Sequence, residues 1–133
     1  MNGQGSVSLG EIGQISVNVR DLHRAVAFYK DRLGLKHLVS VPGERMAFFD
    51  CGGIRLMLAI PERPDLDHPS SIIYFKVPGI EQAHEALASR QVHFETEPML
   101  VAPMATHDLW LADFRDSENN VLALMCEKPK AGG

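Results

Sequence analysis

The stretch that decides the fold is IGQISVNVRDLHRAVAFYKDRLGL, residues 12–35. Its first half alternates. Ile15, Val17 and Val19 are apolar while Gln14, Ser16 and Asn18 are polar, the period-two pattern of a strand with one buried face. Asp21 is a good N-cap for a helix beginning at Leu22, because its carboxylate can accept from the free N–H groups of a first helical turn. Leu22, Ala25, Val26, Phe28, Tyr29 and Leu33 then recur along one helical face, and Gly34 supplies a left-handed C-cap. The segment reads as a strand joined directly to an amphipathic helix.

The pattern comes twice. The offset that carries Ile15 onto Ile73 also carries Val17, Val19, Leu22, Ala25, Tyr29 and Arg32 onto Phe75, Val77, Ile80, Ala83, Leu87 and Arg90. A larger offset, Asp50 to Asp116, superposes Phe48, Leu56 and Leu58 on Phe114, Leu122 and Leu124, which implies a longer loop in the second half. Internal repetition outweighs any single motif as a fold signal. SIIYFKV and IEQAHEALASR are the second strand and helix, and two hairpins, MAFFD-CGG-IRLML and ADFRD-SEN-NVLALM, close the halves. The expectation is an α+β chain of two tandem βαβββ modules in a single domain over residues 11–127. Module one spans 11–60, the linker PERPDLDHPS spans 61–70 and module two spans 71–127. Residues 1–10 and 128–133, small and polar, are expected to be flexible.

Composition narrows the function classes. Of 133 residues, 45% are hydrophobic and 23% charged, the balance of an ordinary globular domain. The net charge is -4 and the basic residues are scattered, so neither nucleic acid nor an anionic membrane surface is an expected partner. No apolar run reaches the roughly 20 residues that span a bilayer. The start, MNGQGSVSLGEIG, lacks the basic and apolar regions of a secretion signal. Cys51 and Cys126 make no disulfide framework, and a cytoplasmic location is expected.

Strand alternation assigns two sheet faces. Ile15, Val17, Val19, Leu56, Leu58, Ile73, Phe75, Val77, Leu122 and Leu124 form an apolar face that packs on the helices. Gln14, Ser16, Asn18, Arg55, Met57, Ala59, Ile72, Tyr74, Lys76, Val121, Ala123 and Met125 form a mixed face, which either meets water or lines a cavity. Three-residue hairpin loops would pair Phe114 with Leu122, Asp113 with Ala123, and Ala47 with Met57. A cavity is expected on the mixed face, where Gln14, Met57, Tyr74 and Ala123 lie, and not on the helix side.

The opening segment, with D-L-x-R-A-x-x-F-Y and L-G-L, resembles that of glyoxalase, bleomycin-resistance and extradiol-dioxygenase-type proteins, the vicinal oxygen chelate superfamily. LWLADFRDSENNVLALM, residues 109–125, resembles their closing hairpin, F-x-D-P-x-G-N-x-x-x-L. The resemblance covers residues 11–127 and implies a U-shaped open barrel around a small-molecule cavity, with paired chains that often complete it. It also implies a divalent metal held by four His, Glu or Gln side chains, at positions that fall here on Gln14, Met57, Ile72 and Ala123. Only Gln14 suits such an ion. The superfamily's usual metal is therefore not expected, nor is any other cofactor. Ser117 replaces the usual proline, Asn119 the glycine, and Asp113 an aromatic residue.

Candidate site residues come from the mixed face and its neighbours. Asp113 is either a pocket carboxylate acting as base or a solvated strand residue. Arg55 and Lys76 either hold an anionic group or form rim salt bridges. Met57, Met125, Tyr74 and Phe49 would give an adaptable apolar lining, with Gln14, Ile72 and Ala123 beside them. Trp110 is expected in the core. The six histidines do not cluster, His107 and Asp113 being about 20 Å apart by strand rise. Three readings stay open: a metal-independent protein binding a small, partly apolar molecule, with or without an anionic group; a lyase, isomerase or dioxygenase-like enzyme using Asp113 or a non-standard metal set; and an oligomeric scaffold without ligand. A homodimer is expected, since open sheet edges need covering.

Overall fold

A computed structural model describes residues 7–41, 43 and 45–130. The expected flexible residues 1–6 and 131–133 lie outside the described part. The elements run β1 (Gln14–Asn18), α1 (Leu22–Ala27), β2 (Lys36–Val41), β3 (Met46–Cys51), β4 (Ile54–Ala59), β5 (Ile73–Lys76), α2 (Ile80–Ser89), β6 (His93–Phe94), β7 (Met99–Pro103), β8 (His107–Arg115) and β9 (Val121–Pro129). This is the βαβββ pattern twice, with the second module's third position split into β6 and β7. β9 continues to Pro129, past the boundary expected at 127, and the linker contains a 3-10 turn at Pro64–Leu66.

Each module makes its own sheet, in the orders β1-β4-β3-β2 and β5-β9-β8-β6, with β7 also on β8. The first and last strands of each module pair in parallel, Ile15 with Leu56 and Ile73 with Leu122. The two sheets stay open rather than closing into a barrel. Val17, Leu58, Phe49, Phe114 and Leu122 meet Ala25, Tyr29 and Ile80 of the helices, all with essentially no exposed surface. No helix among the described residues is long and apolar enough to cross a membrane.

α1 starts as expected: the Asp21 carboxylate accepts from the Arg24 N–H at 3.0 Å. Its end is different. After Ala27 the chain widens into a π-turn over Phe28–Arg32, with the Leu33 N–H donating to the Phe28 carbonyl at 3.1 Å.

The closing turn of module two holds the modules together. Glu118 accepts from the backbone N–H groups of Arg20 and Asp21 at 2.8 and 3.0 Å, and from the Arg24 guanidinium at 2.7 and 2.9 Å. The Tyr29 hydroxyl donates to Asp116 at 2.6 Å. On the helix side the arginines related by the repeat reach across reciprocally: Arg32 donates to the Gln91 carbonyl at 3.2 Å, and Arg90 to the Arg32 carbonyl at 3.1 Å.

One expected register needs correction. In module two Phe114 stands opposite Leu122 and Asp113 opposite Ala123, as the three-residue loop requires. In module one Ala47 faces Leu58 rather than Met57, and Phe48 faces Met57. The reason is the turn. Gly52 and Gly53, at φ 62° and 90°, make a two-residue connection with Cys51 opposite Ile54. Two consecutive left-handed residues suit a tight hairpin whose twist matches its strands. Shortening the loop by one residue moves every β3 side chain to the other face.

Candidate functional site

The mixed face of module one is built from β1, β4 and β3. Arg55 lies beside Gln14 in the register, and its Nε–H donates to Gln14 Oε1 at 2.7 Å. Its guanidinium also covers the Phe48 ring, 5.1 Å from the centroid. Gln14 Nε2 reaches Met57 Sδ at 3.7 Å. These contacts brace Arg55, and no carboxylate among the described residues neutralises it. Phe49, expected to line the site, is instead fully buried against Tyr29 and His37. Phe48 takes its place.

On module two, Tyr74, Ala123 and Asp113 stand side by side across β5, β9 and β8. Ala123 has no exposed surface, so it supports its neighbours and cannot touch a ligand itself. Asp113 is half-buried, and its side chain has no hydrogen-bond or ionic partner among the described residues. Its backbone N–H donates to Thr96 Oγ1 at 3.0 Å. Lys76 faces outward and pairs with Glu127 at 3.0 Å, which His107 Nε2 also meets at 3.1 Å. Lys76 holds the Glu127 carboxyl below the usual carboxylate range, His107 adding to the effect. Trp110 packs partly into the core, as expected, and carries Lys128 over its ring at 4.0 Å.

Sequence reasoning missed the linker's part. Asn18 fastens it: the Asn18 side-chain amide donates to the carbonyls of Leu66 and His68, both at 2.8 Å, and the Asn18 backbone N–H donates to Ser70 Oγ at 2.8 Å. A cavity of about 380 Å³ lies on one side of this strap, with Ser16, Met46, Met57 and Ala59 in its wall. A cleft of about 640 Å³ and mixed polarity lies on the other, with Arg20, Ile72, Arg115 and Val121 in its wall. Gln14, Tyr74 and Ala123 line neither. The only advance signal was Asn18 itself, an amide on the mixed face with a proline-rich segment to receive it. A further cavity, of about 260 Å³, opens on the helix side, where none was expected.

The sequence model of the Glyoxalase/Bleomycin resistance protein/Dioxygenase superfamily matches residues 11–124. The chain belongs to this superfamily. Solved structures of similar shape include lactoylglutathione lyase from Agrobacterium tumefaciens, at 19% identity and TM-score 0.72 over 89% of this chain and 94% of that one. A superfamily member from Sphaerobacter thermophilus aligns at 20% identity and TM-score 0.74, over 90% of this chain and 98% of its own. One from Nocardioides aligns at 22% and 0.69, over 96% and 89%. At these identities the likeness establishes the glyoxalase-like fold alone.

The superfamily's metal does not fit the donors present. Gln14 spends its amide on Met57 and Arg55, Ile72 is a hydrocarbon and Ala123 is buried. A divalent ion stripped of water needs three or four N or O donors at about 2.0–2.5 Å. Among the described residues no three His, Cys, Asp or Glu side chains gather elsewhere to replace them.

Proposed function

We propose that the mixed face binds a small, partly apolar molecule without the superfamily's metal. The observation that supports this reading is the makeup of the face. On module two Ile72 and Tyr74 stay 47% and 48% exposed with half-buried Met125 on the same face, and on module one Phe48 and Met57 are half-buried. On this apolar floor stand Arg55 and Asp113, neither with an ionic partner among the described residues. An apolar floor with a few unpaired polar groups is the makeup of a ligand site. Arg55, steered by Gln14 and stacked on Phe48, would hold an anionic group, and Lys76 would take part only by releasing Glu127. The free thiols Cys51 and Cys126 fit a reducing, cytoplasmic setting.

Asp113 supports a second reading, in which the protein is a lyase or isomerase like the A. tumefaciens neighbour in its activity. A half-buried carboxylate across Ala123 from Tyr74, with no side-chain partner among the described residues, is placed to take a proton from a bound substrate.

Two measurements separate these readings. Anilinonaphthalene sulfonate, an apolar anion, is expected to bind saturably with a rise in fluorescence. Tyr74→Glu and Arg55→Gln should each weaken it roughly tenfold, the worth of one desolvated aromatic or cationic contact. The hemithioacetal of methylglyoxal and glutathione should not be turned over, with or without added zinc or nickel. Turnover that disappears in Asp113→Asn would replace the binding reading with the enzyme.

A further inference from the structure

The two helices differ at one pair of positions. The offset that relates the modules sets Phe28 against Ala86 and Tyr29 against Leu87. Hydrogen bonding fixes this equivalence, because the chain leaves each helix through the same contact: the Leu35 N–H donates to the Tyr29 carbonyl at 3.0 Å, and the Val92 N–H to the Leu87 carbonyl at 3.1 Å. In module one the Phe28 ring is buried, edge-on to Tyr29 with centroids 5.7 Å apart, and the Arg32 guanidinium lies 5.9 Å from its centroid. Module two has an arginine in the same place, Arg90, but no ring beneath it.

Where the ring is missing, Ala86 lines the 260 Å³ cavity on the helix side. Leu33 and Leu35 wall it from module one, and Phe75, Ala83 and Leu87 from module two, with Arg90 as its one charged lining residue among those described. Arg90 spends one N–H on the Arg32 carbonyl and meets no carboxylate among the described residues.

We propose that this crevice binds an aromatic carboxylate, its ring seated where a counterpart of Phe28 would lie and its carboxylate on the remaining N–H groups of Arg90. Three observations carry the ligand class. The walls are apolar, so the buried part of the ligand is hydrocarbon. The Arg32–Phe28 contact in the same protein shows what that arginine position receives, the face of a ring. The Arg90 guanidinium, exposed at the rim of an apolar crevice and meeting no carboxylate among the described residues, favours an anion, most of all one with a planar pair of oxygens. The proposal is independent of the mixed face, which lies on the other side of both sheets.

The test uses para-fluorobenzoate and the full chain carrying Arg55→Gln, which removes the unpaired cation of the mixed face, monitored by fluorine NMR. Saturable binding is expected at a Kd of about 1 mM or tighter, the level a ligand of this size can reach. Ala86→Phe, which supplies the ring covalently, should abolish it. Arg90→Gln should weaken it about tenfold while leaving the uncharged para-fluorobenzyl alcohol unaffected. Tyr74→Ala, on the mixed face, should change nothing. Absence of saturable binding, binding that survives Ala86→Phe, equal affinity in Arg90→Gln, or loss in Tyr74→Ala would each overturn the proposal.

Discussion

Glu118 is the residue on which the joining of the modules most depends. It belongs to the closing turn of module two, yet it holds the backbone just ahead of the helix of module one, and its side chain has no exposed surface. Burial alone would raise its pKa. The Arg24 guanidinium, the N–H groups of Asp21 and Arg20 and the Ser117 hydroxyl outweigh burial and hold it at about 2, against an ordinary 4.5. A carboxylate with a lowered pKa contributes stability that is complete above about pH 4.5 and is lost as the pH falls toward 2. The contribution at neutral pH is on the order of 3 kcal/mol. Glu118→Gln should therefore be less stable than wild type at pH 7 by about 2–3 kcal/mol, and nearly as stable at pH 2. Urea unfolding at the two pH values checks this; a gap of equal size at both would refute the assignment. None of this is legible in the sequence. SEN reads as a hairpin tip, which it is, but its partners lie about a hundred residues away and local periodicity carries no information about them.

At the scale of the element, the helices record how far the repeat can be trusted. Through Arg32 and Arg90 one offset serves both modules. By Gly34 it has dropped by one, for Leu35 occupies the place of Val92 and the left-handed Gly34 the place of Gln91, at φ 77° and 66°. The π-turn at Phe28–Arg32 absorbs the extra residue. Such bulges arise where a helix accommodates an insertion. Deleting Lys30 should leave a folded protein whose first helix runs in regular α-helical bonding, with less loss of thermal stability than deletion of Ala88, its counterpart in the regular helix. Equal losses would mean that the π-turn is required by the fold. The two hairpins show a different limit. Alternation places β1, β4, β5 and the first half of β9 on the correct faces, because one side of each is apolar there, and the three-residue turn then places β8. In MAFFD both Phe48 and Phe49 suit either face, so only the turn can decide, and a GG pair admits a two-residue loop as readily as a longer one. The candidate site inherits that ambiguity as the exchange of Phe49 for Phe48.

The molecule as a whole ends in two apolar edges. β2 closes one sheet and β7 the other, and each is paired on one side only. Leu38 and Val39 stay 47% and 49% exposed on β2; Met99, Leu100 and Val101 stay 46% to 49% exposed on β7. Both strands carry a register irregularity, between His37 and Val39 and between Leu100 and Ala102. Bulges and charges are how a monomer blunts a free edge, yet here the bulged edges keep their apolar side chains, and Lys36 at the start of β2 is the one lysine on either strand. That combination suits a partner of the same kind better than open water. A second copy related by a twofold axis would cover both edges and extend the mixed faces of the two chains into one another. The expected hydrodynamic mass is twice 14.7 kDa, and Val101→Lys, which places a charge in the middle of the β7 edge, should shift the protein toward the monomer while leaving its thermal unfolding cooperative. Sedimentation of both proteins from micromolar to millimolar concentration decides it. A wild-type chain that stays at 14.7 kDa throughout would leave the apolar edges without an occupant and the mixed face complete within one chain.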